Sequence, residues 1–238
     1  MTLASAAEDR TMQPGSYVHN RAERYSDIHA EMHARELQLF AHLRQAAEIR
    51  DPDSASHMLR MSQYARLIAR GLGLPYEQQE IVLAVASLHD IGKIGVPDAI
   101  LGKRGPLDEL EQVVARRHVR HGHAILRHGT SPLVLSAAAI ALRHHERFDG
   151  SGYPDGLAGT AIPQYARIAA VADVFDALTS HRPHRPAIHP DRALDYVLSQ
   201  RGTHFDPDCV DAFIAEERRI RDIRIRYRDA ADAPLTDS

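Results

Sequence analysis

The run Leu88-His89-Asp90-Ile91-Gly92-Lys93-Ile94-Gly95-Val96-Pro97-Asp98 constrains this chain more than any other stretch. It sets an imidazole beside a carboxylate straight after the apolar segment 81–88. Histidine offers a nitrogen ligand, and aspartate offers oxygens that can bridge two cations; both suit divalent transition metals. Alone the pair says little, because adjacent His-Asp pairs arise by chance and most are surface or capping residues. Its weight comes from the same chemistry recurring elsewhere in the chain.

The chain has 238 residues, enough for one large domain with an extension. Aromatics are 5% of it and Trp is absent, so a core must be built mainly from Ala, Leu, Ile and Val, a composition that favours helices. A net charge of −3 asks for neither a nucleic-acid nor a membrane partner. The single cysteine, Cys209, excludes an internal disulfide framework and fits a reducing compartment. No apolar run approaches the roughly 20 residues of a membrane span, and the N-terminus lacks a signal-type apolar region. The expectation is a soluble, cytoplasmic protein.

Residues 1–17 read as a small, polar, disordered leader. Over 18–50, Tyr25, Ile28, Met32, Leu39, Phe40, Leu43, Ala46 and Ala47 recur at three- and four-residue steps, one stripe of a long helix. That helix either packs on its own domain or acts as a coiled-coil-like linker pairing with a second copy. Residues 51–228 read as the main folded domain and 229–238 as a frayed tail. Helical segments fit about 54–70, 77–90, 107–128, 132–145, 164–180, 190–200 and 207–225. No alternating strand is evident. The loop from Phe148 to Pro163 carries Gly150, Gly152, Gly156 and Gly159 with Pro154 and Pro163, and reads as irregular but structured.

The 16 histidines are the compositional outlier. His19, His29, His33, His42, His128, His181 and His189 have no partner pattern and read as surface residues. Others sit in suggestive company. Asp53 and His57 are four apart and share a helix face. His118 lies in a basic segment, and His144 and His145 close an apolar helix before Glu146. Asp173 ends the apolar stretch 168–172, where an unpaired carboxylate would be costly, and Asp176 follows one turn later. Consecutive helical residues point about 100° apart, so adjacent ligands can serve one centre only if it is broad, as a two-cation centre is. A mononuclear zinc site needs only three or four protein ligands. The surplus of candidates argues for two metals, with a third as the alternative. Histidines with few carboxylates and no thiol favour iron, manganese or zinc over magnesium or calcium.

With these residues in view, the chain resembles the HD-GYP domain, a branch of the HD metal-dependent phosphohydrolases. The resemblance rests on 88–98, on His144-His145-Glu146-Arg147-Phe148-Asp149-Gly150-Ser151-Gly152-Tyr153-Pro154, and on Ile162-Pro163 through Ser180, in order and with the family's spacing. It covers about residues 48–215. It implies an all-α fold, an HD-domain helical bundle preceded by the long N-terminal helix. It implies hydrolysis of cyclic di-GMP to linear pGpG, with GMP as a further product, by a hydroxide bridging two metals and attacking phosphorus. Iron is the implied metal, with manganese and zinc as alternatives.

The resemblance also assigns roles. His57, His89, Asp90, His118, His144, His145 and Asp173 match metal positions, with Asp90 as the bridge and a catalytic residue. Lys93 matches a lysine acting on nucleophile and phosphate, and Arg182, Arg185, Asp176 and Tyr153 fall on the substrate side. Asp53 stands where members with a third metal carry Glu, and its shorter carboxylate makes two metals the expected number. Ser54-Ala55 replaces the usual Thr-Gly. His184 and Arg185 replace Tyr and Lys, and Arg is not an equivalent donor to Lys. The expected partners are cyclic di-GMP, a diguanylate cyclase or sensor protein on the Gly-Tyr-Pro loop, and a second copy through the N-terminal helix. The alternative function is a catalytically silent module that binds cyclic di-GMP or a signalling protein.

Overall fold

A computed structural model describes residues 14–50, 55–181 and 186–228. Asp53, Arg182, His184 and Arg185 lie outside the described residues, as do most of the leader and the tail 229–238. Among the described residues there is no β-strand, only the isolated bridges Asp149–Ala158 and Arg201–Phe205. None of the helices among them is long and apolar enough to cross a membrane.

Helix α1 spans Pro14–Arg50, so residues 14–17, expected in the leader, are helical. The chain divides into two compact units, residues 1–39 and 40–238. In the first, Met32, Leu37 and Leu39 are exposed, and Arg35 pairs with Glu31 one turn away at 2.6 Å. In the second, Phe40 is buried and Leu43 and Ala47 pack on the core.

The second unit is a bundle of α2 (Ala55–Gly71), α3 (Tyr76–Val85), α4 (Asp98–Leu101), α5 (Glu109–Arg116), α6 (His118–Leu126), α7 (Pro132–Arg143), α8 (Gln164–Thr179), α9 (Pro190–Ser199), α10 (Pro207–Ile214) and α11 (Glu217–Arg226). Three helices start in the same way. Ser131-Pro132, His189-Pro190 and Asp206-Pro207 each place a capping side chain before a proline at the first helical position. The cap accepts an otherwise orphaned backbone N–H, and the proline costs nothing where no intrahelical donor is needed. Helix α5 begins with a capping box, Asp108 and Glu111 each accepting from the other's backbone N–H.

Helix α8 runs through the core, burying Ala166, Ile168, Ala169, Ala170, Val171, Ala172 and Phe175. It packs on α2 and α7, and its alanines permit close approach. Three aromatic rings meet here. Tyr64, Phe175 and Phe213 meet edge to face with centroids 5.0–5.8 Å apart, a geometry that suits their ring quadrupoles.

The structure departs from sequence expectation at three segments. The helix expected over 77–90 stops at Val85 and tightens into 3-10 turns at Ala86–Leu88 and Ile91–Gly95. The one expected over 107–128 breaks at Arg117, and the one over 207–225 breaks at 215–216. The break at Arg117 separates two helices whose partners differ. Helix α6 packs on the turn Ile91–Gly95 and on α7, and only weakly on α5.

His204 lies against this core, its ring stacked on Phe205 at 4.1 Å, and its backbone carbonyl accepts the Phe148 N–H. Burial, with the nearby Arg147 cation, pushes its pKa down to about 4. The unfolded chain takes up this proton near the ordinary histidine value of about 6.5, whereas the folded chain resists it. Stability from this residue is therefore present above about pH 6.5 and lost as pH falls toward 4. His204→Phe, which keeps the stacking, is expected to lose less stability than the parent between pH 7 and 5 in urea unfolding; equal losses would refute this.

Candidate metal centre

The chain leaves α-helical geometry just before its His-Asp pair. Asp90, at φ −100° and ψ 9°, occupies the sparsely populated bridge region between the two 3-10 turns. This bend sends adjacent side chains to different places. Asp90 joins His118, His144 and His145 in one group of ligand-capable atoms within 4.8 Å of one another, and His89 joins His57 and Asp173 in a second. All seven residues expected to hold two metals therefore fall into the two groups, drawn from α2, the turns after α3, α6, the end of α7 and α8.

Asp90 stands between the groups. Its Oδ1 is 3.3 Å from His118 Nε2 and 3.6 Å from His144 Nε2. Its Oδ2 is 3.3 Å from His89 Nε2 and 2.8 Å from Lys93 Nζ. In the second group, Asp173 Oδ1 lies 3.8 Å from His57 Nε2 and 3.7 Å from His89 Nε2.

Four histidines share one orientation. Nδ1 of His89, His118 and His144 faces the backbone carbonyls of Ala86, Ala115 and Ile140 at 3.0, 2.8 and 3.0 Å. Nδ1 of His57 faces Asp176 Oδ2 at 2.8 Å. Each partner can only accept, so Nδ1 must carry the hydrogen, and in the neutral ring Nε2 is left as a lone pair aimed into the cluster. Metal-binding histidines show this arrangement, the outer hydrogen bond fixing tautomer and ring direction. His89 Nε2 and Asp90 Oδ1 are buried without a hydrogen-bond partner. Orphaned acceptors of this kind are costly unless a cation satisfies them. The donor set, imidazole and carboxylate without thiolate, fits a divalent transition metal.

The electrostatics agree. Desolvation disfavours charge on Asp90, yet Lys93 and His89 hold its carboxyl well below the usual range. Desolvation also opposes charge on His89, but Asp90 and Asp173 outweigh it and raise the imidazole to about 9. The field that holds a proton on His89 would hold a cation in its place. His118 is pushed down to about 4, mainly by burial, and burial with neighbouring His144 takes His145 well below the ordinary range. Both stay neutral, the form that ligates.

The glycine-rich loop packs directly on this centre. Tyr153 stacks on His145 with centroids 4.8 Å apart, and the Arg116 guanidinium covers its ring at 4.9 Å. Gly152 is required there, since a Cβ would lie 2.3 Å from Arg147 N and 2.6 Å from His145 O. Glu146 anchors the loop. It is buried and accepts from the backbone N–H groups of Asp155 and Leu157 and from Arg143. Beside the centre, Lys93, Val96, Leu101, Leu107, Gln112, Ala115, Arg116, His118 and Tyr153 line a pocket of about 190 Å³. Tyr153 and Lys93, expected on the substrate side, both line this pocket.

Asp176 does not. Expected on the substrate side, it is fully buried, and its oxygens accept from His57, Arg60 and Ser180. It lies behind His57 rather than facing the pocket. Arg60, Arg116 and the anchoring role of Glu146 were not anticipated. Only Glu146 carried a signal, its place directly after the paired histidines.

Residues 41–209 match the HD domain family. The chain belongs to that family. This HD domain is 47% identical over 204 residues to the cyclic di-GMP phosphodiesterase response regulator RpfG of Xanthomonas campestris pv. campestris (strain 8004), covering 86% of the chain and 54% of RpfG. It is 34% identical over 200 residues to the 3'3'-cGAMP-specific phosphodiesterase 2 of Vibrio cholerae serotype O1, covering 83% of the chain and 38% of that protein. The solved structure of the cyclic GMP-AMP specific phosphodiesterase V-cGAP3 of Vibrio cholerae superposes with a TM-score of 0.58 at 19% identity, covering 81% of this chain and 53% of that one. The HD domain thus spans about half or less of the curated relatives' length. The resemblance to the HD-GYP branch read from the sequence holds.

Assembly of the centre depends on close backbone contact at Gly92. A Cβ there would lie 1.9 Å from the His118 carbonyl oxygen and 2.3 Å from Gly122 N. Both obstacles are backbone, so the turn carrying Asp90 would have to leave α6. Gly92→Ala is expected to cost at least the ~1–3 kcal/mol typical of overpacking and to weaken metal binding as Asp90 and His118 separate. Thermal unfolding and metal titration check this; a variant matching the parent in both would contradict it.

Proposed function

We propose that this HD-GYP domain is a metal-dependent phosphodiesterase that hydrolyses cyclic di-GMP to linear pGpG. The observation carrying this reading is the pair of ligand groups meeting at Asp90, with Lys93 beside them and a pocket opening alongside. His57, His89 and Asp173 would hold one divalent cation and His118, His144 and His145 a second, with Asp90 shared. When bound, such cations neutralise charge on a phosphoryl group and lower the pKa of an attacking water. Iron is the metal we expect, with manganese and zinc as alternatives.

The chain's own residues do the remaining work. Lys93 Nζ, held 2.8 Å from Asp90, presents a cation to phosphoryl oxygens brought to the centre. The neutral His118 and His145 keep their lone pairs for ligation across the physiological range. Tyr153, held between His145 and Arg116, walls one side of the pocket, and the apolar side chains of Val96, Leu101 and Leu107 suit a nucleobase. Relatives named for cyclic di-GMP and for 3'3'-cGAMP support the cyclic dinucleotide class. The higher identity to the cyclic di-GMP relative favours cyclic di-GMP, and cGAMP is the second reading.

The test is anaerobic purification with metal analysis, followed by turnover of cyclic di-GMP and cGAMP with iron or manganese. Hydrolysis of cyclic di-GMP is expected, and product analysis decides whether pGpG proceeds to GMP. His89→Ala/Asp90→Ala should lose bound metal and activity by at least a hundredfold. Full turnover by that variant would defeat the proposal, and binding without turnover by the parent would favour a silent module. A homodimer through α1, suggested by exposed Met32, Leu37 and Leu39, predicts a solution mass of two chains; a mass of one chain would exclude it.

A further inference from the structure

Helix α8 grips the His57 ring at both nitrogens. Asp173 approaches Nε2 at 3.8 Å, and Asp176, one turn on, meets Nδ1 at 2.8 Å. Residues three apart share a helix face, so the two carboxylates bracket one imidazole. The other three oriented histidines use backbone carbonyls as their outer acceptor; His57 uses a buried carboxylate. That carboxylate is itself fixed. Arg60 donates from Nε to Oδ1 at 2.6 Å and from Nη2 to Oδ2 at 2.9 Å, and Ser180 Oγ donates to Oδ2 at 3.0 Å. Arg60 Nη1 also donates to the Tyr227 carbonyl at 2.8 Å, and Arg60 Nη2 to Ser180 Oγ at 2.8 Å. A buried carboxylate without such a partner would be untenable. With it, the Asp176 charge is balanced and its lone pairs are aimed.

We propose that Asp176, clamped by Arg60, is a positioning residue that fixes His57 in the Nδ1–H tautomer and so selectively supports the His57–His89–Asp173 metal group. This rests on the metal-centre reading above, but the first step, the tautomer, exists without any metal. The competing account is that Arg60 and Asp176 only tie α2 to α8. Such a tie would affect stability without favouring either ring nitrogen or either ligand group.

The experiment uses the full chain. Histidine ¹⁵N NMR of metal-free protein reads the His57 tautomer, and manganese(II) titration reads the binding of each equivalent. The parent should show protonated Nδ1 on His57. In Asp176→Leu, which removes the acceptor from His57 Nδ1, the tautomer should shift toward Nε2–H, and one manganese should bind about 10–100-fold more weakly, the range seen for lost outer hydrogen bonds, while the other is retained. Asp176→Leu also strands the Arg60 charge, so Arg60→Met/Asp176→Leu is the second variant. It removes the buried pair together, a change that proteins often tolerate, and should show the same tautomer release and selective metal loss in a folded chain. A parent with protonated Nε2 on His57, or a folded variant that keeps the parent's tautomer and binds both equivalents equally well, overturns the proposal. A parent that shows the Nδ1–H tautomer but binds no manganese defeats the metal-centre reading instead.

Discussion

One partly buried carboxylate organises this molecule. Asp90 lies within 3.6 Å of three imidazole nitrogens and within 2.8 Å of an ammonium. Charge in a low-dielectric setting must be balanced locally. Here Lys93 and His89, on the same stretch of chain, balance the charge, and the His118 and His144 rings of α6 and the end of α7 close around it. Those elements must converge for Asp90 to be tolerated, which fixes the approach of the turn to α6 and the need for glycine at 92. Much of the helical scaffold can be understood as whatever brings these groups together.

A second tier of contacts holds the first in place. Carbonyls of Ala86, Ala115 and Ile140 orient three rings. Glu146 performs the same service for the glycine-rich loop through two backbone N–H groups, and so sets Tyr153 against His145. None of these contacts alters the donor set. They decide whether the donors point at a common centre, and preorganisation of this kind separates a working site from a collection of suitable residues.

Most helices could be read from the sequence because their starts are marked locally. Ser131-Pro132 and Asp206-Pro207 announce α7 and α10, and the apolar run before Asp173 announces α8. The breaks were not legible, because they arise from packing. Nothing between 77 and 90 signals that the helix must stop at Val85 so that His89 and Asp90 can diverge. Nothing at Arg117 signals that α6 must follow a different partner from α5. The seven ligand candidates were legible through family spacing and histidine clustering. Asp176 was misassigned because an acid three residues after a ligand shares its face, and spacing alone cannot tell which side of an imidazole it meets. Arg60 was invisible since its partner lies 116 positions away.

The scatter of the two ligand groups along the chain has a thermodynamic side. His57 and Asp173 come together only when α2 and α8 are docked. The unfolded chain holds these donors far apart and has no comparable affinity for a divalent ion. A cation seated between them would act as a reversible cross-link, adding RT ln(1 + [L]/Kd) to the folding free energy, about 2.7 kcal/mol at a hundredfold excess over Kd. The resistance of this domain to unfolding would then follow the supply of free metal around it, so that one ion availability would govern both how long the protein persists and whether it can act.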